Sequence, residues 1–397
     1  MRARVRVGVI FQLRILRVLR KGASWLFQAL VVLGALLTLF IALTPQGRAG
    51  FHTALFVTQV LELPFKPQSW FTAEPLRHEA HYQSSDGTTV ADVYRDPDGK
   101  PRAAVVLFLG ANAAGRDDPD VVNLGNALAR AGYVTMFHWS PSMALQANIE
   151  PAETGNLVWA FQYLSEREYV DPERAGLGGF CVGASFALVA AADPRIRDDV
   201  HFVNAFGPYY NAETLLLEAA SRSVVYDGQQ TPWEPDSLTM RVLANELIET
   251  LDDPADVDKL TRRYMNNQAL TAAEVEALSP QARTVAGLLD GATPEEAAAL
   301  YAMLPDDFHR DLAEVSPSTH VDNIRARLLV MHDRHDRLVP AAESRRLVAA
   351  TQGRGDVRYT EVLAFEHVRP SGGGIGDLVG EGFRLFRHMY SIIRIAA

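Results

Sequence analysis

The sequence predicts an α/β fold: a mostly parallel sheet flanked by helices, with a helical cap insertion and an N-terminal transmembrane helix. Three observations indicate it. Short apolar runs alternate with helical segments across residues 103–206, and the alternation returns at residue 326. Residues 175–191 are Gly-rich and have the pattern of a buried strand that turns directly into a helix. Across residues 210–316 the alternation stops, and we predict no strand there.

The strands are predicted from their hydrophobic patterns and from the turns between them. Alternation begins near His78, and Ser85-Asp86-Gly87 turns it into a second strand, so an antiparallel hairpin is expected at one sheet edge. The later predicted strands are 103–109, 134–138, 175–180, 201–206, 326–331 and 357–363. The predicted helices of the core are 153–164, 184–191, 341–351 and 378–395, and Thr271 and Thr293 begin capping boxes within the insert.

The N-terminus has an unusual distribution of charge. Seven Lys and Arg and no acid lie within residues 1–21, and residues 25–43 then contain no charge. Nineteen helical residues span about 28 Å, close to the hydrocarbon thickness of a bilayer. Because basic flanks stay in the cytoplasm, we expect residues 1–23 to be cytoplasmic, 24–44 to form an uncleaved anchor and the rest to be extracytoplasmic. A cleaved signal peptide is the alternative, but the leader and the apolar run are both long for one.

Composition divides the rest of the chain. Residues 45–77 hold a short amphipathic helix and several prolines, and we interpret them as a linker. The α/β core is assigned to 78–209 and 317–397. Residues 210–316 contain twenty acids and seven Lys or Arg, and we expect them to cap the carboxyl edge of the sheet, where open α/β sheets bind ligands. A solvated acidic bundle beside the fold is the alternative.

Charge and cysteine content narrow the classes of function. The formal net charge is −10, and without the seven basic residues of the N-terminus it is −17, so nucleic acid is not expected as a partner. Cys181 is the only cysteine, which leaves no intramolecular disulfide and no thiolate metal site. We expect a small-molecule substrate and no cofactor, and the oligomeric state is left open.

Gly179-Phe180-Cys181-Val182-Gly183 leaves almost no room between the predicted strand and the helix after it. A side chain on such a turn is held in a strained backbone above the sheet, with a helix N-terminus behind it. The helix dipole favours a thiolate, and the next amide can receive an oxyanion. Cys181 is therefore a candidate nucleophile, with Gly179 and Gly183 as the glycines of the turn. An incidental buried Cys in a Gly-rich turn is the alternative.

A cysteine nucleophile needs a base and an acid that orients the base. His367 follows the last predicted strand, and Asp336 follows the strand before it. Carboxyl ends of parallel strands meet at one edge of a sheet, so the thiol, carboxylate and imidazole are expected to come together there. Their order along the chain, nucleophile then acid then histidine, fits such an edge.

A resemblance supports this arrangement. The chain from about residue 78 to the C-terminus resembles an α/β-hydrolase, and Gly-Phe-Cys-Val-Gly at 179–183 resembles the cysteine elbow of the dienelactone hydrolase family. Leu-Val-Met-His at 329–332, with the acid at 336, resembles the segment that delivers the acid in that fold. Phe-Glu-His at 365–367 resembles the histidine segment.

The resemblance implies roles for particular residues. Cys181 would be the nucleophile, His367 the base and Asp336 its orienting acid, and the backbone amides of Val182 and Ala111 would form the oxyanion hole. The sequence departs from the family where Leu-Gly at 109–110 replaces the His-Gly of many relatives, and where an acid at 333 replaces a glycine. Dienelactone hydrolases are compact and soluble, so their lactone substrate is not carried over to this chain.

Other assignments compete with the triad. Ser185 lies in a degraded G-x-S-x-G, but four residues past Cys181 it would fall inside the helix. The cluster His-Asp-Arg-His-Asp at 332–336 is an alternative metal site, disfavoured by the neighbouring Arg residues, and its Asp333 is the alternative acid. Candidate pocket residues, for which core packing is the alternative, are Asn112, Tyr209 and Tyr210.

The sequence thus predicts a membrane-anchored hydrolase that cleaves a carboxylic ester, lactone or thioester through a Cys-His-Asp triad and an acyl-enzyme. Two alternatives stay open. One is an acyltransferase, because Cys-dependent polyester synthases also carry a G-x-C-x-G elbow and pass the acyl group to an alcohol. The other is a catalytically silent, hydrolase-like binding protein.

Overall fold

The structure is a computed structural model that describes residues 25, 27–60, 66–85, 87–111, 115–363 and 375–397. At its centre is an eight-stranded sheet in the order β1-β2-β4-β3-β5-β6-β9-β10. The strands are β1 Leu76–Ser84, β2 Gly87–Arg95, β3 Arg102–Phe108, β4 Tyr133–His138, β5 Val170–Phe180, β6 Phe202–Phe206, β7 Ser223–Tyr226, β8 Gln229–Pro232, β9 Arg327–Asp333 and β10 Val357–Val362. Strands β7 and β8 form a separate hairpin.

From β3 onward and outside the cap, the α-helices of the described residues alternate with the strands. They are α1 Phe27–Leu43, α2 Pro45–Val60, α3 Pro119–Arg130, α4 Ala152–Ser165, α5 Val182–Ala190, α6 Ala212–Ser221, α7 Ser237–Glu249, α8 Pro254–Leu260, α9 Ala272–Glu276, α10 Pro280–Asp290, α11 Pro294–Tyr301, α12 Asp306–Glu314, α13 Ala341–Ala350 and α14 Ile375–Ala396.

The sheet is mostly parallel, as predicted. Strand β1 pairs antiparallel with β2, and β2 pairs antiparallel with β4. Every other neighbouring pair in the eight-stranded sheet is parallel. The predicted hairpin therefore lies at one edge, and the carboxyl ends of β3, β5, β6 and β9 point to the same side of the sheet.

The two faces of the sheet pack against different helices because successive residues of a strand point to opposite sides. One face, with Val106 and Leu177, packs against α4, α5 and α13. The other, with Leu107 and Phe202, packs against α2, α3 and α14. All nine residues of α5 are buried. The result is the predicted three-layer core.

The predicted linker is partly a structural element of the core. Helix α2 packs against both α3 and α14, and buries Ala49, Leu55 and Phe56. Beyond it, the buried Gln68 side chain donates a 2.9 Å hydrogen bond to the carbonyl oxygen of Ala127. The apolar residues of α2 thus complete the layer over the sheet instead of spacing the core from the N-terminus.

Helices α1 and α2 meet at a corner of 103°. The Thr44 hydroxyl accepts a 3.0 Å hydrogen bond from the Gly47 amide, and a Cβ at Gly47 would lie 2.3 Å from the Phe40 carbonyl oxygen. Of the helices that can be described, none is by itself long and apolar enough to cross a membrane, whereas α1 and α2 together meet that criterion. Residues 1–24 and 26, which include part of the predicted anchor, lie outside the described residues.

The insert forms a helical layer with its own apolar core, built from α6, α7, α10 and α11. Both predicted capping boxes, at Thr271 and Thr293, are confirmed. The expectation of no strand was wrong, because β7 and β8 form a hairpin. Its turn residues Asp227 and Gly228 both have positive φ, at 51° and 71°. Asp-Gly is a strong sequence signal for such a two-residue turn, and it marks this hairpin in the sequence.

Asp171-Pro172 is a dipeptide that favours a turn, but both residues lie within β5, which begins five residues before the predicted strand at 175–180. The pairing of β3 with β5 passes from Arg102 opposite Val170 to Ala104 opposite Ala175, so the intervening residues form an irregular bulge. A proline is tolerated there because a bulged residue need not donate to the ladder.

Two helical glycines offer a test of the packing. A methyl group at Gly125 of α3 would lie 2.7 Å from the buried ring of Tyr94, whereas one at Gly155 of α4 would meet no atom within 4 Å. We expect Gly125→Ala to destabilise the fold by about 1–3 kcal/mol through overpacking. Gly155→Ala is expected to stabilise it by about 0.4–1 kcal/mol through lower chain entropy in the unfolded state.

The measurement is the thermal unfolding midpoint of the full chain in detergent, compared among the parent and the two variants. Equal shifts, or a rise in the midpoint for Gly125→Ala, would show that the α3 layer is not packed on Tyr94 in this way.

Candidate active site

Cys181 lies on the turn between β5 and α5, at the carboxyl edge of the sheet. Its backbone has φ 52° and ψ −126°, a conformation that costs a non-glycine residue on the order of 1–3 kcal/mol. Its amide donates a 2.8 Å hydrogen bond to the carbonyl oxygen of Phe206 at the end of β6. Such strain persists only where the surrounding structure imposes it, and it concentrates at functional sites.

Three glycines impose this turn. A Cβ at Gly179 would lie 2.5 Å from the Gly183 carbonyl carbon, and one at Gly183 would lie 2.2 Å from the Phe108 carbonyl oxygen. On the neighbouring strand loop, Gly110 has φ 66°, and a Cβ there would lie 2.6 Å from the Gly183 amide nitrogen. The backbones of β3, β5 and α5 are therefore in direct contact, and no side chain fits between them.

The thiol of Cys181 is buried deeply enough to change its acidity. Burial, together with the nearby Asp336 carboxylate, raises the pKa of Cys181 to about 12, and the Val182 amide, which donates to the sulfur, opposes that rise. The dipole of α5 favours the thiolate. The desolvation of the charged form outweighs the dipole, so a base is needed to remove the proton.

The two predicted oxyanion donors, Val182 and Ala111, line one cavity together. Val182 opens α5, and Ala111 follows β3; both line a cavity that also reaches Cys181. In the described part of the chain, no acceptor is bonded to the Ala111 amide. The arrangement can therefore stabilise negative charge that develops on an oxygen beside the sulfur. Asn112, a predicted pocket residue in the same loop, lies outside the described residues.

Asp336 lies in the loop after β9, with its carboxylate held by the backbone of that loop. Its Oδ1 accepts hydrogen bonds from the amides of Leu338, at 2.6 Å, and Val339, at 3.1 Å. Its Oδ2 lies 3.2 Å from the position of a Cβ on Gly207, which has φ 59°. Burial raises the pKa of Asp336, and His332 with the two amides opposes that effect. Oδ2 is therefore oriented by the loop and directed at the strand end that also anchors the Cys181 amide.

His332 fixes this loop and is not free to act as a base. Its Nε2 lies 2.9 Å from the Val339 carbonyl oxygen and 3.5 Å from Asp336 Oδ2. A carbonyl can only accept, so Nε2 carries a proton, and Nδ1 is hydrogen-bonded to the Ser344 hydroxyl at 2.6 Å. With both ring nitrogens engaged, the imidazole orients the acid. His367, the predicted base, lies outside the described residues.

The cap is bonded directly to the acid loop, a feature that sequence reasoning missed. The Trp233 indole nitrogen donates to the Asp336 carbonyl oxygen at 3.0 Å, and the Asp236 amide donates to the Arg337 carbonyl oxygen at 2.7 Å. The Thr239 hydroxyl donates to the Leu338 carbonyl oxygen at 2.8 Å. These three hydrogen bonds attach the insert to the loop that carries Asp336, so the insert is not a separate bundle beside the fold.

Two cavities meet at Cys181. The first, here called the sheet-side cavity, has a volume of about 800 Å³ and lies between the sheet and α2, α3 and α14. The second, the cap-side cavity, has a volume of about 460 Å³ and lies beneath α6, α7 and α12 of the cap. The residues that line both are Phe180, Cys181, Asp236 and Leu338. The thiol can therefore contact a substrate that extends in two directions.

The remaining predicted site residues have clear surroundings. Tyr209 lines the cap-side cavity, and its hydroxyl donates to the Val315 carbonyl oxygen at 2.9 Å. Tyr210 packs against the core beside it. Ser185 is fully buried, and its hydroxyl donates to the Tyr209 carbonyl oxygen at 3.0 Å, so the alternative nucleophile is directed into α5 packing. Within the described ranges no group of His, Cys, Asp and Glu could hold a metal ion.

Glu246 of α7, like the acidic Asp236, lines the cap-side cavity. Its Oε1 accepts a 2.6 Å hydrogen bond from the Ile149 amide. Burial raises the pKa of Glu246 to about 8, helped by the negative charges of Glu249, Glu150 and Asp311 and opposed by the Ile149 amide. At neutral pH this carboxyl is therefore largely protonated and contributes little negative charge to the cavity wall.

The raised pKa predicts a pH-dependent stability. A carboxyl that binds its proton more tightly in the folded state loses stability as pH rises from its ordinary value, near 4.5, through about 8. We expect Glu246→Gln to match the parent near pH 4 and to have the higher unfolding midpoint at pH 9. Thermal unfolding across that range measures it; an unchanged difference between pH 4 and pH 9 would contradict the assignment.

Comparison with known proteins does not assign this chain to a family. No family model matches this sequence. No curated protein matches it either. Solved structures that are similar to the chain include the Pyrococcus horikoshii acylaminoacyl peptidase, 12% identical over 83% of this chain and 43% of that one, with a TM-score of 0.47. This chain therefore spans less than half of that peptidase.

Two esterases are also similar to the chain. The Pyrobaculum calidifontis esterase is 16% identical over 92% of this chain and 99% of that one, with a TM-score of 0.42. The esterase domain from a Rhodothermus marinus protein is 14% identical over 79% of this chain and 98% of that one, with a TM-score of 0.43. At such low identity, the function has to be inferred from the geometry around Cys181.

Proposed function

We propose that this chain is a membrane-anchored hydrolase that cleaves a carboxylic ester, lactone or thioester with Cys181 as its nucleophile. The observation that carries the proposal is the strained turn that holds the thiol at the junction of two cavities, one of which Val182 and Ala111 also line. A buried cysteine that served only packing would not need a backbone conformation that costs on the order of 1–3 kcal/mol.

The proposed chemistry begins with the thiol proton. His367 takes that proton, and the thiolate adds to the substrate carbonyl carbon. The carbonyl electrons move to the oxygen, which accepts hydrogen bonds from Val182 and Ala111. When the tetrahedral intermediate collapses, the alcohol or thiol leaves with the proton from the imidazolium, and the acyl group stays on Cys181. Water then adds in the same way, and the carboxylic acid leaves as the thiol is restored.

The surroundings of Cys181 explain why a base is part of this proposal. A thiol whose pKa is raised to about 12 is almost wholly protonated at neutral pH. An imidazole that accepts the proton creates a cation beside the thiolate, which offsets the cost of burying the negative charge. The Asp336 carboxylate, already fixed by the Leu338 and Val339 amides, would stabilise that cation and orient the ring.

Membrane anchoring through residues 24–44 is part of the proposal. The described residues of α1 expose their large apolar side chains, with Leu33, Leu36 and Leu37 each more than half exposed. These leucines share one face of the helix, and the equally exposed Val31 and Val32 lie on others. Exposed apolar side chains on every face of one helix are unfavourable in water and favourable in lipid. The basic residues before this helix support a cytoplasmic N-terminus with the catalytic domain on the opposite side.

Replacement of the thiol tests the nucleophile. Cys181→Ala is expected to lower the turnover of a small activated ester by about a thousandfold or more, because no acyl-enzyme can form. Ser185→Ala is the matched control within the same helix, and it is expected to keep activity while losing about 1 kcal/mol of stability with its hydrogen bond. Rates are measured on the full chain in detergent, with unfolding midpoints to verify the folds.

Three results would count against this assignment. Undiminished turnover in Cys181→Ala removes the thiol from the mechanism, and loss in Ser185→Ala alone, with the fold intact, transfers the role to that hydroxyl. If the parent turns over no ester or thioester, and mass spectrometry finds no acyl adduct on Cys181, the result favours a binding protein. Transfer of the acyl group to an added alcohol faster than to water favours the acyltransferase.

The anchor is tested by charge. Two Asp residues at the centre of a transmembrane helix cost about 3 kcal/mol each, so Leu33→Asp combined with Leu36→Asp is expected to release the chain from membranes during an alkaline carbonate wash. The parent and the control, Leu33→Ala with Leu36→Ala, are expected to stay in the membrane pellet. Equal release of all three proteins would mean that α1 does not hold the chain in the bilayer.

A further inference from the structure

The floor of the sheet-side cavity depends on two glycines of the central strand. Residues 176, 178 and 180 of β5 point toward α2 and α14, and the first two of them are glycines. A Cβ at Gly178 would lie 2.9 Å from the Leu107 side chain, and one at Gly176 would lie 2.7 Å from the Phe202 ring. The side chains of these neighbouring strands therefore lie over the glycines and form the apolar floor of the cavity, beneath the helices.

The cavity runs along β6, away from Cys181. Phe206, Asn204 and Phe202 line it in succession from the strand end inward. Four residues of a strand rise about 13 Å. An extended chain advances about 1.2 Å per bond, since three backbone bonds span about 3.5 Å. A chain of about ten carbons therefore fits along β6, and a volume of about 800 Å³ is within the range of ligand pockets.

Polarity changes along this path. At the Cys181 end the lining includes Asp336, Asp236 and His335, whereas the interior is lined by the apolar side chains of the sheet and of α2, α3 and α14. The inner end is closed by the Tyr133 hydroxyl, which donates a 2.6 Å hydrogen bond to the Ile392 carbonyl oxygen. A ligand with a polar reacting group and a long apolar tail matches this gradient.

Asn204 is the polar exception in the interior. It is 7% exposed, and its Oδ1 is buried without a hydrogen-bond partner. An unpaired buried amide oxygen costs about 1–3 kcal/mol, so its presence in an apolar cavity calls for a ligand donor. A hydroxyl part way along an acyl chain would supply one.

We propose that the sheet-side cavity binds the acyl chain of the substrate, that this chain is long and apolar, and that Asn204 accepts a hydrogen bond from a hydroxyl part way along it. This inference rests on the proposed function, since it places the carbonyl carbon at Cys181. The alcohol or thiol that leaves occupies the cap-side cavity, whose lining includes Leu243, Phe308 and Glu246.

Chain length provides the first test. Each methylene buried from water improves binding about fourfold, so the parent is expected to hydrolyse a dodecanoyl ester with kcat/KM at least a hundredfold above that of the butanoyl ester. Val57→Trp fills the cavity from α2 and is expected to lower that ratio at least tenfold. The control is Ala54→Trp, at an exposed position of the same helix, which is expected to keep the parent ratio. Equal loss in both variants, or no preference for dodecanoyl in the parent, overturns the proposal.

A binding measurement separates this inference from the proposed hydrolysis. Full-chain Cys181→Ala cannot turn over ester, yet it is expected to bind dodecanoate in calorimetry at least ten times more tightly than the variant that also carries Val57→Trp. If dodecanoate binds but the parent hydrolyses no ester, the sheet-side cavity keeps its role as an acyl-chain site and the proposed hydrolase function is rejected. If the parent hydrolyses ester but dodecanoate does not bind, or if Val57→Trp leaves its binding unchanged, the sheet-side cavity is not the acyl-chain site.

Asn204→Leu tests the polar contact. The parent is expected to prefer dodecanoyl esters with a hydroxyl near the middle of the chain over the unsubstituted ester. Asn204→Leu is expected to reverse that preference, with a change of at least tenfold in the ratio of kcat/KM. An equal change for both esters, with the ratio preserved, would leave Asn204 with a packing role only and overturn this part of the proposal.

Discussion

Direct contact between backbones at the carboxyl edge of the sheet is the constraint on which the site depends. Gly183 touches the Phe108 carbonyl and the Gly110 amide, and Gly179 touches Gly183. These contacts leave the chain one way to pass from β5 into α5, and that path gives Cys181 a positive φ. The position of the thiol is therefore set by the absence of side chains around it, and α5, buried along its whole length, holds the turn in place.

The same burial that fixes the thiol works against its ionisation. A helix N-terminus contributes a partial positive charge, but removing a thiolate from water costs more than this dipole returns. The site therefore depends on loops that come from elsewhere in the chain: the loop of Asp336, whose position depends on His332 and on cap residues such as Trp233. The sheet edge fixes the position of the thiol. In the proposed mechanism the charge that offsets the thiolate is that of the imidazolium, and Asp336, which by itself raises the pKa of the thiol, acts through that cation.

Much of the core could be predicted because its signals are local. The apolar run at 103–109 became β3, within a residue at each end, since burial on both faces leaves an uninterrupted pattern. The bonds between Trp233 and the acid loop could not be predicted, because nothing local marks which distant carbonyl an indole will meet. Helix α2 was placed in a linker for a related reason: its apolar face is explained by α3 and α14, which are far away in sequence.

The alternation of β5 ties the Cys181 thiol to the sheet-side cavity. Residue 179 points toward α5, where a glycine is needed so that the turn can close, and residues 176 and 178 point toward α2, where glycines leave room for the side chains of Phe202 and Leu107. A slip of one residue in the register of β5 would exchange these faces. It would place Leu177 in the cavity and move Phe180 against α5. Selection for the strained thiol and selection for an open apolar space therefore act on one register, so the reacting group and the space beside it are set together.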